Sequence, residues 1–280
     1  PEEEYNLRYH RLWSAMDNAG VDAAVIADPR NCRYFTGCVS PSTHRPNTVI
    51  IPKHSEPVLL KARYQSPVVS AHTTWISDMR QYDPPISWSS VEEVLETLGL
   101  GSARVGVEFP DTFFGGFRPV LAGADQSGAA QCMPRAELVN ISEEIWGLRI
   151  IKSDAEIDAM RRACAITSRA YDVMYSKACA GMTEEEVGAL LVSAMASEGA
   201  DLPSFGQSGP CAFLIIDSSR RPGEPHTPTA KPLRVGDVLH IDTGAVYKGY
   251  MADFAREAVV GPIGAYHQEM WSRVREKMDA

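Results

Sequence analysis

The sequence lacks the long apolar run that a membrane-spanning helix needs. Such a helix takes roughly 20 consecutive apolar residues, and the longest apolar candidates here, such as residues 211–216, suit buried strands. The N-terminus also lacks the basic start, apolar core and small-residue cleavage site of an export signal. These absences predict a cytoplasmic protein with no membrane partner.

Clusters of basic residues are missing as well. The net charge is -9, with 36 acidic residues against 27 basic ones. Nucleic-acid binding depends on grouped Lys and Arg side chains that neutralise phosphates. The sequence therefore predicts no nucleic-acid partner.

Cysteine pairs with the Cys-x-x-Cys spacing are absent. The six cysteines are scattered, mostly among apolar neighbours: Cys32, Cys38, Cys132, Cys164, Cys179 and Cys211. This pattern predicts buried thiols in a reducing compartment rather than disulfides or a zinc site.

The length and the hydrophobic pattern predict two domains. A chain of 280 residues suggests roughly two domains of about 150 residues each. The first part alternates helix and strand signals, which indicates a layered α/β domain over residues 1–148. Its predicted helices end at Gly20 and cover residues 89–100, and its predicted strands cover residues 21–27, 47–52, 57–62 and 104–109. The first of these strands is ended by Asp28-Pro29.

The second predicted domain, residues 149–280, begins with two capping boxes. Ser153 with Glu156, and Thr183 with Glu186, each predict the start of a helix. The buried stripe of the first helix is predicted to consist of Ile157, Met160, Cys164, Tyr171 and Met174. Strand and loop patterns follow, until a helical pattern resumes near Gly264.

A hairpin in this domain carries two aspartates. In GDVLHIDTGAVYKGYMADFARE, residues 238–242 and 250–255 can pair around a turn at Tyr247-Lys248, which places Asp242 opposite Asp253. Their Cβ atoms would then be roughly 4.5 to 5.5 Å apart. Both can be ionised only if a positive charge lies between them, and hard carboxylate oxygens suit Mn, Fe or Zn ions. The alternatives are a solvated hairpin with surface acids, or a longer turn using Gly249 that sends Asp253 to the opposite face unless a bulge restores it.

Two histidines lie near these aspartates in the sequence. His240 shares a strand face with Asp242, so it either donates a hydrogen bond into the site or is a core histidine. His226 lies in the Pro-rich stretch GEPHTP, where it is free to reach a cleft. Histidine is the commonest proton shuttle near neutral pH, although a single loop histidine can also have no role.

Taken together, these motifs resemble the prolidase, Xaa-Pro aminopeptidase and creatinase family. The resemblance rests on SGP at 208–210, on Pro225-His226, on the hairpin sequence, on DPRNCRYFTG at 28–37 and on LRIIKSDAEI at 148–157. It covers essentially the whole chain. It implies an α/β creatinase-type N-terminal domain, with a mixed sheet and flanking helices, followed by an α+β pita-bread domain.

The resemblance also implies a chemistry. Asp242 would bind one of two divalent metal ions (Mn, Fe, Co or Zn), Asp253 would bridge both, and His226 would assist substrate binding or proton transfer. A hydroxide bridging the metals would attack the carbonyl of the bond before proline. The expected substrate is a short proline-containing peptide or another small molecule, and the expected assembly is a homodimer.

The sequence departs from the family pattern in one respect. Family members continue with a segment that supplies a metal-binding His and two Glu, and no such segment follows Ala280. Alone, the chain is expected to be inactive as a peptidase or to be part of a longer protein. Two other readings stay open: hydrolysis or lysis of a C–N bond in a guanidino or cyclic-amidine metabolite, selected by Arg220, Arg221 and Glu224, and a catalytically silent binding protein.

Overall fold

The structure is a computed structural model that describes residues 2–38, 47–63, 74–83, 88–108, 126–201, 210–218 and 227–279. The chain divides into two compact units, one reaching Lys152 and the other beginning at Ser153. The predicted domain boundary between residues 148 and 149 stays a prediction. Within the ranges given above, no helix has an apolar stretch long enough to cross a bilayer.

The described part of the first unit contains five helices and six strands. In chain order they are α1 (Glu2–Ala19), β1 (Ala23–Ile26), α2 (Pro29–Thr36), β2 (Thr48–Pro52), β3 (Val58–Ala62), β4 (Asp78–Tyr82), α3 (Trp88–Thr97), β5 (Arg104–Val107), α4 (Gln126–Cys132), β6 (Glu137–Asn140) and α5 (Ser142–Ile150).

These strands form one mixed sheet in the order β4-β3-β2-β1-β5-β6. The pairs β1 with β2 and β2 with β3 are antiparallel. The pairs β3 with β4, β1 with β5 and β5 with β6 are parallel. Strands β1, β2 and β3 are buried along their whole length, which is typical of a sheet covered on both faces.

Apolar side chains pack against both faces of this sheet. On one face Ile26 and Ile51 join residues of α1, α2 and α5 in a single core cluster. On the other face Val25 and Ile50 join residues of α3 and α4. Because neighbouring strand residues point to opposite faces, the continuous apolar runs of the sequence supply both layers. The predicted layered α/β fold of the first unit is confirmed.

The sequence interpretation missed α2, which starts where a strand was predicted to end. Pro29 occupies the first turn of this helix, where its missing N–H costs nothing. The Asp28 side chain accepts hydrogen bonds from the backbone amides of Arg30 and Asn31, as an N-cap residue does. The helix ends at Gly37, whose φ of 71° gives the left-handed C-cap.

The second unit packs two long helices on one antiparallel sheet. Its described elements are α6 (Asp154–Lys177), α7 (Glu184–Ser197), β7 (Cys211–Ser218), β8 (Val238–Tyr247), β9 (Tyr250–Met251), β10 (Phe254–Val259) and α8 (Ala265–Met278). Strand β8 is central: it pairs with β7 on one side and with β10 and β9 on the other. Its residues Leu239 and Ile241 pack with the side chains of α6 and α7.

Both predicted capping boxes are confirmed, at Ser153 with Glu156 and at Thr183 with Glu186. The predicted buried stripe of α6 is only partly right. Tyr171 and Met174 are buried, whereas Met160 is 36% exposed. Half of the buried residues of α6 instead have small side chains: Ala159, Ala163, Thr167 and Ala170.

A buried carboxylate connects α7 to two other segments. Glu184 is fully buried. Its side-chain oxygens accept hydrogen bonds from the backbone amides and hydroxyls of Ser218 and Thr229, at 2.7 to 3.0 Å. Four donors therefore compensate the cost of burying this charge.

Helix α8 contributes no buried residue in the described part of the chain. Its large apolar side chains lie along one side and are exposed; they are Tyr266, Met270, Trp271, Val274 and Met278. Two ion pairs, Glu269 with Arg273 and Asp279 with Arg275, connect charged side chains elsewhere on the helix.

Candidate metal centre

The hairpin formed by β8, β9 and β10 has a different register from the predicted one. Asp242 pairs with Ala255, and Thr243 pairs with Phe254. The predicted direct pairing of Asp242 with Asp253 is therefore wrong by two residues. Because the side-chain period of a strand is two residues, this shift does not move Asp253 to the other face of a regular strand.

The position of the turn explains the shift in strand register. Its central residues are Lys248 and Gly249, and not Tyr247 and Lys248, since Tyr247 pairs with Tyr250. Both central residues have positive φ, 50° and 82°, as the two-residue type I′ turn requires. The carboxylate of Asp201 accepts hydrogen bonds from both turn amides, at 2.8 Å each, and so stabilises this turn.

The two faces of β8 differ in burial. Leu239, Ile241 and Thr243 are buried on the side of α6 and α7, whereas His240 and Asp242 are half-buried. Strand alternation places Asp242 on the face opposite the helices. On that face its cross-strand neighbours are Ile215 of β7 and Ala255 of β10.

Asp253 lies where the strand ladder is interrupted, between β9 and β10. Across from it is Gly244, where an added Cβ would lie 1.6 Å from the carbonyl oxygen of Ala252. Only glycine fits so close an approach of two backbones. The sequence DTG therefore includes a glycine whose missing side chain lets the two aspartate-bearing segments come together.

The Asp242 carboxylate has the properties expected of a cation ligand. Its Oδ1 atom is buried and accepts no hydrogen bond from the described residues. A buried carboxylate oxygen without a partner is costly, and a divalent cation would remove that cost. Asp242 therefore fits a metal-ligand role, and the Asp253 side chain is exposed.

Tyr171 of α6 contacts the backbone of the two residues next to the aspartates. Its hydroxyl is 2.9 Å from the carbonyl oxygen of Phe254 and 3.2 Å from that of Ile241. Burial raises the pKa of Tyr171, and the charges of Asp242 and Asp253 raise it further. The sequence placed Tyr171 on the buried side of a helix, but no local pattern indicates contacts with residues 70 and 83 positions away.

Of the two candidate histidines, the structure describes only His240. His240 is not a core histidine: its side chain is 36% exposed, and Nδ1 lies 3.5 Å from Oε1 of Glu257 on β10. His226, the predicted catalytic residue, lies outside the described residues, as do Arg220, Arg221 and Glu224.

Within the described ranges, no group of three or more His, Cys, Asp and Glu side chains is arranged to hold a metal ion. Two aspartates alone do not define the coordination geometry of a transition-metal site. The geometry thus supports part of a metal centre: two carboxylates on adjacent segments, one with an unpartnered buried oxygen.

Each of the two units matches a known protein family. Residues 8–151 match the creatinase/prolidase N-terminal domain, and residues 158–280 match metallopeptidase family M24. The Xaa-Pro dipeptidase of Pyrococcus furiosus is 27% identical over 270 residues, which are 96% of this chain and 69% of that protein. The creatinase of a Bacillus species is 24% identical over 279 residues, which are 96% of this chain and 64% of that protein.

Solved structures show the same fold. The X-Pro aminopeptidase of Thermotoga maritima has a TM-score of 0.76 at 23% identity, covering 96% of this chain and 69% of that one. The Xaa-Pro dipeptidase of Bacillus anthracis has a TM-score of 0.73 at 24% identity, covering 97% and 70%. The chain thus spans about two thirds of the length of its curated relatives.

Proposed function

The chain belongs to the creatinase/prolidase family, with a creatinase-type N-terminal domain followed by an M24 metallopeptidase domain of the pita-bread fold, and we propose that it hydrolyses the bond before proline in short peptides. The family match and the fold confirm the predicted fold class. The observation that carries the proposal is the pair Asp242 and Asp253, with the buried, unpartnered Oδ1 of Asp242.

In this proposal each residue has a distinct role. Asp242 and Asp253 hold two divalent ions, of which manganese is our first expectation, together with ligands supplied from outside the described residues. When bound there, the ions would supply an activated water and would polarise the substrate carbonyl. His226 binds the substrate or transfers a proton beside that site.

The names of the relatives support two kinds of substrate, of which a peptide is the first. One relative is called an Xaa-Pro dipeptidase and another is called a creatinase. The creatinase match supports a second candidate function, hydrolysis of a C–N bond in a guanidino metabolite. The presence of both aspartates supports a metal-dependent reaction in either case.

We propose that the protein is located in the cytoplasm. All six cysteines are free thiols in the structure, as is usual in a reducing compartment. The expected homodimer stays a prediction, which sedimentation equilibrium would test.

The decisive experiment compares Asp242→Asn with the wild type in the natural full-length protein. We expect the variant to lose bound manganese, measured by mass spectrometry of protein purified without chelator. We also expect hydrolysis of Gly-Pro to fall at least about 100-fold, because the lost group is itself a metal ligand and even its supporting residues are worth about 10- to 100-fold.

Asp158→Asn is the matched control, since Asp158 is an exposed carboxylate on α6 paired only with Arg161 among the described residues. Creatine serves as the alternative substrate. Turnover of creatine without turnover of Gly-Pro would replace the peptidase proposal by the guanidino one. Absence of metal from the wild type, even after incubation with manganese, would refute both.

A further inference from the structure

Tyr171 makes an unusual contact with the strands that carry the two aspartates. Its side chain projects from α6 and is 4% exposed. Its hydroxyl lies between two backbone carbonyls on adjacent strands, those of Ile241 and Phe254. A hydroxyl has one proton, so it donates to one carbonyl at a time while remaining in contact with both.

The two carbonyls flank the candidate metal centre. Ile241 directly precedes Asp242 in β8, and Phe254 directly follows Asp253. Asp253 itself lies outside the ladder, so strand pairing does not fix its position directly. Its backbone is held on one side by the bond from the Ala252 amide to the Ala245 carbonyl, at 3.0 Å. On the other side it is held by the pairing of Phe254 with Thr243 and by the contact of Phe254 with Tyr171.

A second contact fixes α6 against the same strand. The hydroxyl of Thr167, four residues before Tyr171, accepts a hydrogen bond from the Ala245 amide at 2.9 Å. It also donates one to the Ala163 carbonyl at 2.8 Å. Residues four apart lie on the same face of a helix, so Thr167 and Tyr171 attach one helix face to the hairpin at two points.

We propose that Tyr171 is a positioning residue for the metal centre: its hydroxyl sets the spacing of the backbones that carry Asp242 and Asp253, and thereby the affinity for a divalent cation. This inference rests on the proposed function, because that proposal assigns the aspartates to the metal. Tyr171 touches neither substrate nor metal in this role. It acts through the two carbonyls.

The test compares Tyr171→Phe with Tyr175→Phe in the natural full-length protein. Tyr175 lies one turn further along α6, with its ring 5.9 Å from that of Tyr171, and it is 44% exposed. Manganese affinity is measured from the electron paramagnetic resonance signal of the free ion. We expect Tyr171→Phe to weaken binding by about 10-fold or more, the range typical of residues that orient metal ligands, and Tyr175→Phe to leave it unchanged.

A second measurement does not depend on the metal. Amide hydrogen exchange is followed by mass spectrometry in metal-free protein at a temperature where all variants are folded. We expect Tyr171→Phe to speed exchange in residues 241–256, and not in β7 residues 214–218, whereas Tyr175→Phe changes neither segment.

The outcomes separate the two proposals. If the wild type binds manganese and Tyr171→Phe binds it equally well, the positioning role is refuted while the metal centre stands. If the wild type binds no manganese, the proposed function fails, and the effect of Tyr171 on metal affinity fails with it. If exchange rises equally in both segments, the residue has only a general structural role, and the positioning inference is refuted.

Discussion

Replacing Glu108 by Gln should change how the stability of the first unit depends on pH. Glu108 follows β5, and its Oε2 accepts hydrogen bonds from the backbone amides of Ala27 and Asp28, at 3.1 and 3.2 Å. Its Oε1 accepts one from the Asn31 side chain. The oxygen of that same amide, Oδ1 of Asn31, accepts a hydrogen bond from Arg149 at 2.5 Å, so Asn31 cannot reverse its amide without losing both contacts.

Burial, together with the smaller effect of the Asp28 charge, raises the pKa of Glu108 from 4.5 to about 7, against the opposing effect of the hydrogen bonds. Asp28 stays ionised near neutral pH. Although burial opposes it, hydrogen bonding to Arg30 lowers the pKa of Asp28. Glu108 therefore keeps its proton to a higher pH in the folded protein than in the unfolded chain.

The sign of the effect follows from that difference. A raised folded-state pKa stabilises the fold below the unfolded value, and this contribution is lost as the pH rises through about 7. A shift of this size corresponds to about 3 kcal/mol in total. About 2 kcal/mol of it falls between about pH 5.5 and pH 8.0.

The assay is urea unfolding followed by tryptophan fluorescence. Four of the five tryptophans lie in the first unit: Trp13, Trp75, Trp88 and Trp146. A Trp271→Phe background restricts the signal to that unit. Relative to this background, Glu108→Gln should gain about 2 kcal/mol of unfolding free energy between the two pH values.

The constant cost of a mismatched Gln amide shifts both values equally, so it does not affect the comparison. Equal pH dependence of the background protein and the Glu108→Gln protein would refute the assignment of this titration to Glu108.

Two further substitutions test close contacts in the second unit by urea unfolding followed by circular dichroism. Gly244→Ala should destabilise the protein by about 3 kcal/mol or more, since its Cβ would lie 1.6 Å from the Ala252 carbonyl oxygen. The control is Gly147→Ala, whose Cβ would meet nothing within 4 Å. Equal stability of the two variants would contradict the close approach. Glu184→Gln should lower the free energy of unfolding by about 2 kcal/mol, because an amide cannot accept hydrogen bonds from all four donors. The same substitution at the exposed neighbour, Glu185→Gln, should lower it by less than about 0.5 kcal/mol. Equal losses of stability would show that the charge on the helix matters and the four hydrogen bonds do not.

Local signals in the sequence predicted the features that depend on a few adjacent residues. The capping boxes at Ser153 and Thr183 each need only a side chain and a residue three positions later, and both are present. The apolar runs predicted β1, β2, β3 and β5 because a sheet covered on both faces needs them.

Features that depend on competing local signals were less predictable. Asp28-Pro29 ends a strand and begins a helix, and only the first meaning was recognised. In α6 the alanines at 159, 163 and 170 face inward while Met160 faces outward. Hydrophobicity ranks Met above Ala, but the close packing of the helix on the sheet selects the smaller side chain.

The residues assigned to the site stay a prediction, whereas the geometry of the hairpin that carries Asp242 and Asp253 could not be predicted from the sequence. The hairpin register depends on which two residues form the turn, and the Asp201 carboxylate that stabilises Lys248 and Gly249 lies 47 and 48 positions earlier in the chain. The contact of Tyr171 with the two carbonyls has the same origin. Such contacts arise from tertiary folding, and no local pattern encodes them.

The exposed apolar side of α8 bears on how this protein can be handled in the laboratory. A row of side chains that includes Tyr266, Trp271 and Met278, each more than 65% exposed, forms the kind of surface that attracts other apolar molecules. Environment-sensitive dyes used in thermal-shift screening would bind it before any unfolding occurs. Their fluorescence would start high and mask the transition, so buffers and ligands for this chain are better ranked by its intrinsic optical signals.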